Sequence, residues 1–282
     1  MSVRIFIDST TDLTEEIRSQ MTVVPLTIHF GSEEFTDGVT ITGSQFYEKL
    51  VESDTLPTTS QATPIVFAEA FRKAVDAGDS VVAITISSNL SGTYQSACIA
   101  AMDFPGKVFV IDSRNVSIAA GILAEYALRL SKTGMSAEDI AHAVEEKREE
   151  VQLVAMLDTL EYLRKGGRIS KTAAIAGSLL SIKPVVNLKD GGVNVMGKAR
   201  GSRQANNMLV QEIEKAGGVD FEEPLLLGYT GLNDALMQKY IADSESLWKG
   251  NREHLPVTLI GSVVGTYAGP GAVGVAFFAR KK

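Results

Sequence analysis

Cysteine is almost missing from this chain of 282 residues: Cys98 stands alone, so no internal disulfide can form. Its neighbours Ala97, Ile99, Ala100 and Ala101 make it a small core residue on a helix rather than a reactive thiol. Histidine is nearly as scarce. His29, His142 and His254 lie far apart, none at ligand spacing from the cysteine or from one another, which leaves no metal site to assign. Asp8 and Asp12 could both approach a cation, although two carboxylates near a strand end serve more often as helix caps and loop acceptors. An excess of basic charge is also lacking. Lys and Arg number 27 against 34 Asp and Glu, a formal charge of −7, which argues against nucleic acid as the main partner. The opening MSVRIFIDST runs straight into a strand-like pattern without the apolar core of a signal peptide, and the expected compartment is the cytoplasm. From Leu255 to Ala279 no residue is charged and basic residues follow, as in a tail anchor. Pro256, Pro270 and five glycines interrupt that segment, however, and favour strand and turn over a spanning helix.

What is present is a globular composition, 45% hydrophobic and 22% charged, in a length that suits two ordinary domains. Strand-like runs at 3–8, 22–30, 81–86 and 107–112 alternate with helical patterns near 92–103, 116–132 and 137–149. A further helix starts at Pro64, with Thr63 as N-cap, Pro64 in the favoured first position and Gly78 past its end. Strands alternating with helices imply a mainly parallel sheet covered on both faces. The second half reads differently. A hairpin is expected over 184–200 around Lys189-Asp190-Gly191-Gly192, with strands at 151–157, 224–230, 257–264 and 272–278. Helices are expected near 170–181, 203–216 and 232–243. The fold class is therefore α/β and two-lobed: an N-terminal three-layer domain over 1–150 and a C-terminal α+β domain with a mixed or antiparallel sheet over 151–282. A ligand cleft is expected between the lobes.

Two nucleotide-binding patterns fail on context. Gly269 to Gly274 satisfies G-x-G-x-x-G, but no helix or acidic residue can follow at the required distance. Gly192 to Lys198 satisfies most of a phosphate loop, yet Ala199 stands where Ser or Thr must hold magnesium, and the segment lies in a hairpin. Ser91 could be imagined as a nucleophile, but N-L-S-G-T is not a nucleophile elbow, and no histidine adjoins it in sequence.

Three polar clusters remain. The stretches 58-TTSQATP-64 and 87-SSNLSGT-93 are hydroxyl-rich and each runs into a helix N-terminus, an arrangement suited to a carboxylate or phosphate. Read alone, either loop is better explained by Thr63 and Ser91 capping their helices. The third, 262-SVVGTYAGPGAVG-274, offers the hydroxyls of Thr266 and Tyr267 beside glycines that permit close approach, or else an ordinary Gly-Pro turn. In addition 161-EYLRKGGRISK-171 gathers Arg164, Lys165, Arg168 and Lys171 around a Gly-Gly break, and Lys198, Arg200 and Arg203 follow. Such a basic cluster fits a phosphate or an acidic partner surface, and fits a solvated turn equally.

Taken in order, DSTTDL (Asp8 to Leu13), TTSQATP, SSNLSGTYQSA, LEYLRKGGRISK and GTYAGPGAVG resemble the DegV family across essentially the whole chain. The resemblance implies a two-lobed bacterial protein of phospholipid metabolism that buries one long-chain fatty acid and needs no cofactor or metal of its own. It further implies a non-enzymatic role as the fatty-acid-binding subunit of a fatty acid kinase. A separate ATP-binding kinase subunit would phosphorylate the carboxylate, and an acyltransferase would receive the acyl phosphate, with transient membrane contact on the way. Carried onto this chain, it assigns Thr59, Ser60, Ser91, Gly92, Thr266 and Tyr267 to the ligand, and Arg168 and Arg200 to phosphotransfer or the partner. Tyr267 stands where many members have histidine, and a phenol does not change charge near neutral pH as an imidazole does.

Overall fold

The computed structural model of the chain describes residues 2–169, 182–248, 250 and 254–280. The helix expected over 170–181, with Lys171, lies outside them. The N-terminal half is built on a four-stranded, wholly parallel sheet of order β2-β1-β6-β7: β1 (Val3–Asp8), β2 (Thr22–Val24), β6 (Ser80–Thr85) and β7 (Val108–Asp112). Alternation along β1 sends Ile5 and Ile7 to one face and Phe6 to the other, and all three are buried. On the Phe6 side lie α3 (Pro64–Asp76) and α4 (Thr93–Ala101), which bring Phe67, Phe71, Ala97 and Ala100 into the core. On the other side lie α5 (Ile118–Ser131) and α6 (Ala137–Lys147).

The C-terminal half is a six-stranded sheet of order β10-β9-β8-β13-β11-β12. Its strands are β8 (Val151–Met156), β9 (Ile182–Lys189), β10 (Gly192–Arg200), β11 (Leu226–Tyr229), β12 (Val257–Leu259) and β13 (Val273–Phe278). Every pairing is antiparallel except β11 with β12. The β9–β10 turn has positive φ at both central residues, Asp190 (51°) and Gly191 (75°), as the Asp-Gly dipeptide predicts. Helices α8 (Gly201–Lys215) and α9 (Ala235–Asp243), with Trp248 of α10 (Glu245–Trp248), cover the outer face. The inner face packs on α5. Its first two turns, Ile118–Ala124, are apolar all round because both sheets bury them: Ile118, Ile122 and Leu123 share one cluster with Ile7 of β1 and with Ala276 and Phe278 of β13. Gly228 and Gly274 pair across β11 and β13, and a Cβ at Gly228 would come within 2.9 Å of Ile118. The absent side chains thus let the start of α5 approach the second sheet.

Several elements depart from the sequence reading. The run 22–30 is two strands, because Pro25 breaks it: β2 joins the parallel sheet, whereas β3 (Thr27–Phe30) joins β4 (Glu33–Thr36) and β5 (Thr58–Ser60) in a small antiparallel sheet. Helices α1 (Glu15–Arg18), α2 (Gly43–Glu52) and α7 (Glu161–Lys165) were not expected. The run expected as a strand over 257–264 ends at Leu259, and Ser262–Ala268 is a helix, α11. The uncharged segment 255–279 is therefore divided among β12, α11 and β13, and no helix among the described residues is long and apolar enough to cross a membrane. Cys98 is only partly buried on α4, and burial and its surroundings still push the thiol up from its ordinary value. Thr63 stands at the N-cap of α3, but its hydroxyl makes no capping bond.

Candidate functional site

A cavity of about 120 Å³ opens where the carboxyl ends of the parallel strands face the second sheet. Strands of a parallel sheet end in loops with free backbone groups, and a crevice beyond those ends is where α/β folds hold ligands. Here the loops after β1, β6 and β7 contribute Thr10, Leu90, Ser91 and Ser117. The second sheet contributes an aliphatic wall that includes Leu153, Ala155, Val186, Val193 and Val273, and α5 adds Ile118. Eighteen of the twenty-six lining residues are aliphatic. On one side the β9–β10 turn docks on the loop after β6: Asn89 Nδ2 donates to the Asp190 carbonyl, and a Cβ on Gly191 would meet Ser87 Oγ at 2.4 Å.

One corner of the lining is polar and contiguous. Thr59, on β5, and Tyr267, on α11, bring their hydroxyl oxygens to 2.7 Å. The Arg168 guanidinium stacks on the Tyr267 ring, 4.5 Å from its centroid. Arg168 Nε donates to the Leu90 carbonyl at 3.2 Å and its Nη1 to the Gly166 carbonyl at 2.7 Å, which fixes the side chain next to Ser91. Gly166 is required for the stack, because a Cβ there would lie 2.4 Å from the Tyr267 ring. Ser91 Oγ sits 2.9 Å from Thr93 Oγ1 and accepts from the Thr93 amide at 3.3 Å. The one imidazole bonded to a serine hydroxyl among the described residues is His29, on Ser60.

Of the residues expected at a ligand, Thr59, Ser91 and Tyr267 thus line one cavity, and Arg168 joins them although it was expected on the partner side. The other assignments go elsewhere. Ser60 is exposed, and its hydroxyl lies 2.8 Å from His29 Nε2. Thr266 Oγ1 donates to the Ser262 carbonyl one turn back at 3.0 Å, so helix geometry occupies it. Gly92 lies at the N-cap of α4, outside the lining, and its missing side chain makes room for Gln61, whose Oε1 is 2.1 Å from where a Cβ would stand. Arg200 is exposed at the junction of β10 and α8, where its amide donates to Gln204 Oε1 at 2.7 Å.

Sequence reasoning overlooked Ser117 and the use made of Asp12. Ser117 holds φ at 59°, a left-handed value costly for a residue with a Cβ, and its hydroxyl donates to Asp12 Oδ2 at 2.6 Å. Asp12 Oδ1 accepts from the Gly261 amide at 2.8 Å. Asp8, one turn of loop earlier, accepts from the Thr10 amide and hydroxyl and from the Ile86 amide, tying the ends of β1 and β6 together. Burial raises the pKa of Asp8, Asp12 and Asp37 alike, Asp12 to about 7.

An aliphatic cavity with one corner of hydroxyls and a guanidinium suits an elongated apolar molecule with a small polar head. The particular family follows from comparison. A family model described as "Uncharacterised protein, DegV family" matches residues 2–280, and the chain belongs to that family. A DegV domain-containing protein of Clostridium perfringens is 36% identical over 95% of each chain. A solved DegV family protein of Thermus thermophilus, described as binding fatty acid, has a TM-score of 0.87 at 31% identity, covering 99% of this chain and 100% of its own. A fatty acid (stearic acid)-binding protein of Eubacterium ventriosum has a TM-score of 0.84 at 27% identity over 97% of each chain.

Proposed function

We propose that this protein binds one long-chain fatty acid, with its acyl chain along the aliphatic wall and its carboxylate at Thr59, Ser91, Tyr267 and Arg168. The observation that carries this reading is the joining of that contiguous polar corner to an otherwise aliphatic cavity. Each buried methylene is worth about 0.8 kcal/mol, so the wall supplies affinity and the corner supplies orientation. The fatty acids carried by solved relatives support it. In this reading residues 1–150 and 151–282 act as two lobes that enclose the ligand. The protein serves as a carrier, presenting the carboxylate to a separate ATP-dependent kinase subunit that forms the acyl phosphate. Arg168 contacts the head group and steadies charge that develops there, and the exposed Arg200 faces the partner.

Denaturing extraction of the purified protein followed by mass spectrometry is expected to release a fatty acid, and the delipidated protein is expected to take one up again on titration. Absence of both would end the reading. The carrier role predicts acyl phosphate formation only when this protein, a fatty acid kinase subunit and ATP are all present.

A further inference from the structure

Helix α11 belongs by sequence to the C-terminal half, yet the N-terminal half holds it. Val263 is buried among Phe46, Tyr47 and Ile28. A Cβ on Gly265 would meet Tyr47 Oη at 2.5 Å, so the helix lies directly on α2. The segment leading into it, 258–261, is tied at three of its four residues: Thr258 Oγ1 donates to the Leu13 carbonyl at 2.9 Å, Tyr47 Oη donates to the Ile260 carbonyl at 3.0 Å, and the Gly261 amide donates to Asp12 at 2.8 Å. Asp37, buried like Asp12, stands beside the same helix start. A seven-residue helix rich in β-branched residues and glycine has little stability of its own. These anchors fix its start, and Tyr162 and Gly166 pack on its far end.

We infer that Asp12 is a positioning residue for Tyr267: by holding the Gly261 amide and the Ser117 hydroxyl together, it fixes α11 so that the Tyr267 hydroxyl meets Thr59 and its ring meets Arg168. This rests on the fatty-acid reading for its effect on affinity, but not for its effect on geometry. One carboxylate grips both walls beside the cavity. Oδ1 holds the start of α11 and Oδ2 holds Ser117 at the start of α5, a cavity-lining residue in a strained backbone conformation that needs such a partner. Asparagine keeps the acceptor for Gly261 and offers Ser117 a donor, so it conserves the grip, whereas alanine removes it.

The test uses the full chain, delipidated, with cis-parinaric acid as the fatty acid probe and fluorine-labelled tyrosine for NMR. Asp12→Ala is expected to weaken probe binding about tenfold and Asp12→Asn less than about threefold. In the Tyr267→Phe background, Asp12→Ala is expected to add less than about threefold, because the hydroxyl contact with Thr59 is already gone and only the place of the ring on Arg168 is left to disturb. Equal loss in both backgrounds, or wild-type binding by Asp12→Ala, overturns the inference. If the wild-type protein binds no probe, the fatty-acid reading fails alone, and the Tyr267 fluorine resonance decides the positioning role. It should shift in Asp12→Ala and hold in Asp12→Asn, and a resonance unmoved in Asp12→Ala overturns it. Should Asp12→Ala fail to fold, Gly261→Ala replaces it, since a Cβ there lies 3.0 Å from Asp12 Oδ1 and presses on the same contact without entering the cavity. There too an unmoved resonance overturns the inference.

Discussion

The two sides of the cavity are built on opposite terms. The aliphatic wall comes from a mixed sheet whose side chains pack on α5, and it is held by that packing and by the regular strand ladder. The polar corner comes from loops and one short helix, held by buried carboxylates, by Ser117 with its φ of 59°, and by hydrogen bonds across the two halves of the chain. The wall stabilises the fold while it shapes the cavity, whereas the corner costs stability in order to aim a few donors. Affinity for an apolar tail can be spread over many contacts, but a carboxylate must be met at fixed points.

The largest expected effect therefore lies on the wall. Ala155, paired with Gly274 on β13 and Val186 on β9, lines the cavity where neither neighbour offers a polar atom from its side chain. Ala155→Asp puts a carboxylate there with no partner, and fatty acid binding is expected to fall by more than about a hundredfold, in line with the cost of burying an unpaired charge. Isothermal titration with a long-chain fatty acid checks it. Binding within about tenfold of wild type would mean that the acyl chain does not run along this wall.

Changes in the corner are expected to be smaller. Ser91→Ala or Thr59→Val removes one hydrogen bond to an ionised group, worth about 1.5–3 kcal/mol, so each should weaken binding roughly ten- to a hundredfold. Because Thr59 bonds Tyr267, the pair Thr59→Val and Tyr267→Phe should be less than additive, whereas Ser91→Ala with Tyr267→Phe should come closer to additivity. Competition titration of the single and double variants tests the contrast, and full additivity of Thr59 with Tyr267 would separate residues grouped here as one site.

How much of this contrast the amino-acid pattern carries differs between the two sides. Apolar strands such as Val81–Ile84 and the apolar first two turns of α5 announce buried layers, and the Asp190-Gly191 turn was readable from its dipeptide. The hydroxyl loops were readable as polar, but which hydroxyl faces the ligand was not. Ser60 follows Thr59 on β5 and so points to the opposite face, onto His29, while Thr266 turns its hydroxyl to its own helix. Helix α2 carried a usable signal, a Thr42–Gln45 capping box, that was passed over. Helix α11 carried none: Ser-Val-Val-Gly-Thr-Tyr reads as strand and turn, and the bonds that hold its start come from Asp12, Tyr47 and Leu13, more than two hundred positions away.

The smallest expected effect measures what the corner costs. Burial pushes the Asp12 carboxyl from 3.8 up to about 7, against the lowering influence of Ser117, the Gly261 amide and Arg18, and with Asp37 adding to the rise. Tyr47, on α2, faces it as well. A carboxyl raised in the folded state keeps its proton where the unfolded chain has lost it. Its contribution to stability is therefore complete below about pH 4, declines as pH rises, and is gone above about pH 7, with a slope of up to about 1.4 kcal/mol per pH unit between. Asp8 and Asp37 slope the same way, so the Asp12 part appears only by difference. Urea melts of wild type and Asp12→Asn should show the variant gaining relative stability as pH rises from about 5 to 7, while the variant's fatty acid affinity stays near that of wild type. A difference independent of pH would mean that Asp12 ionises as freely in the fold as outside it, and the cost of the polar corner would then rest on Asp8, Asp37 and the backbone of Ser117.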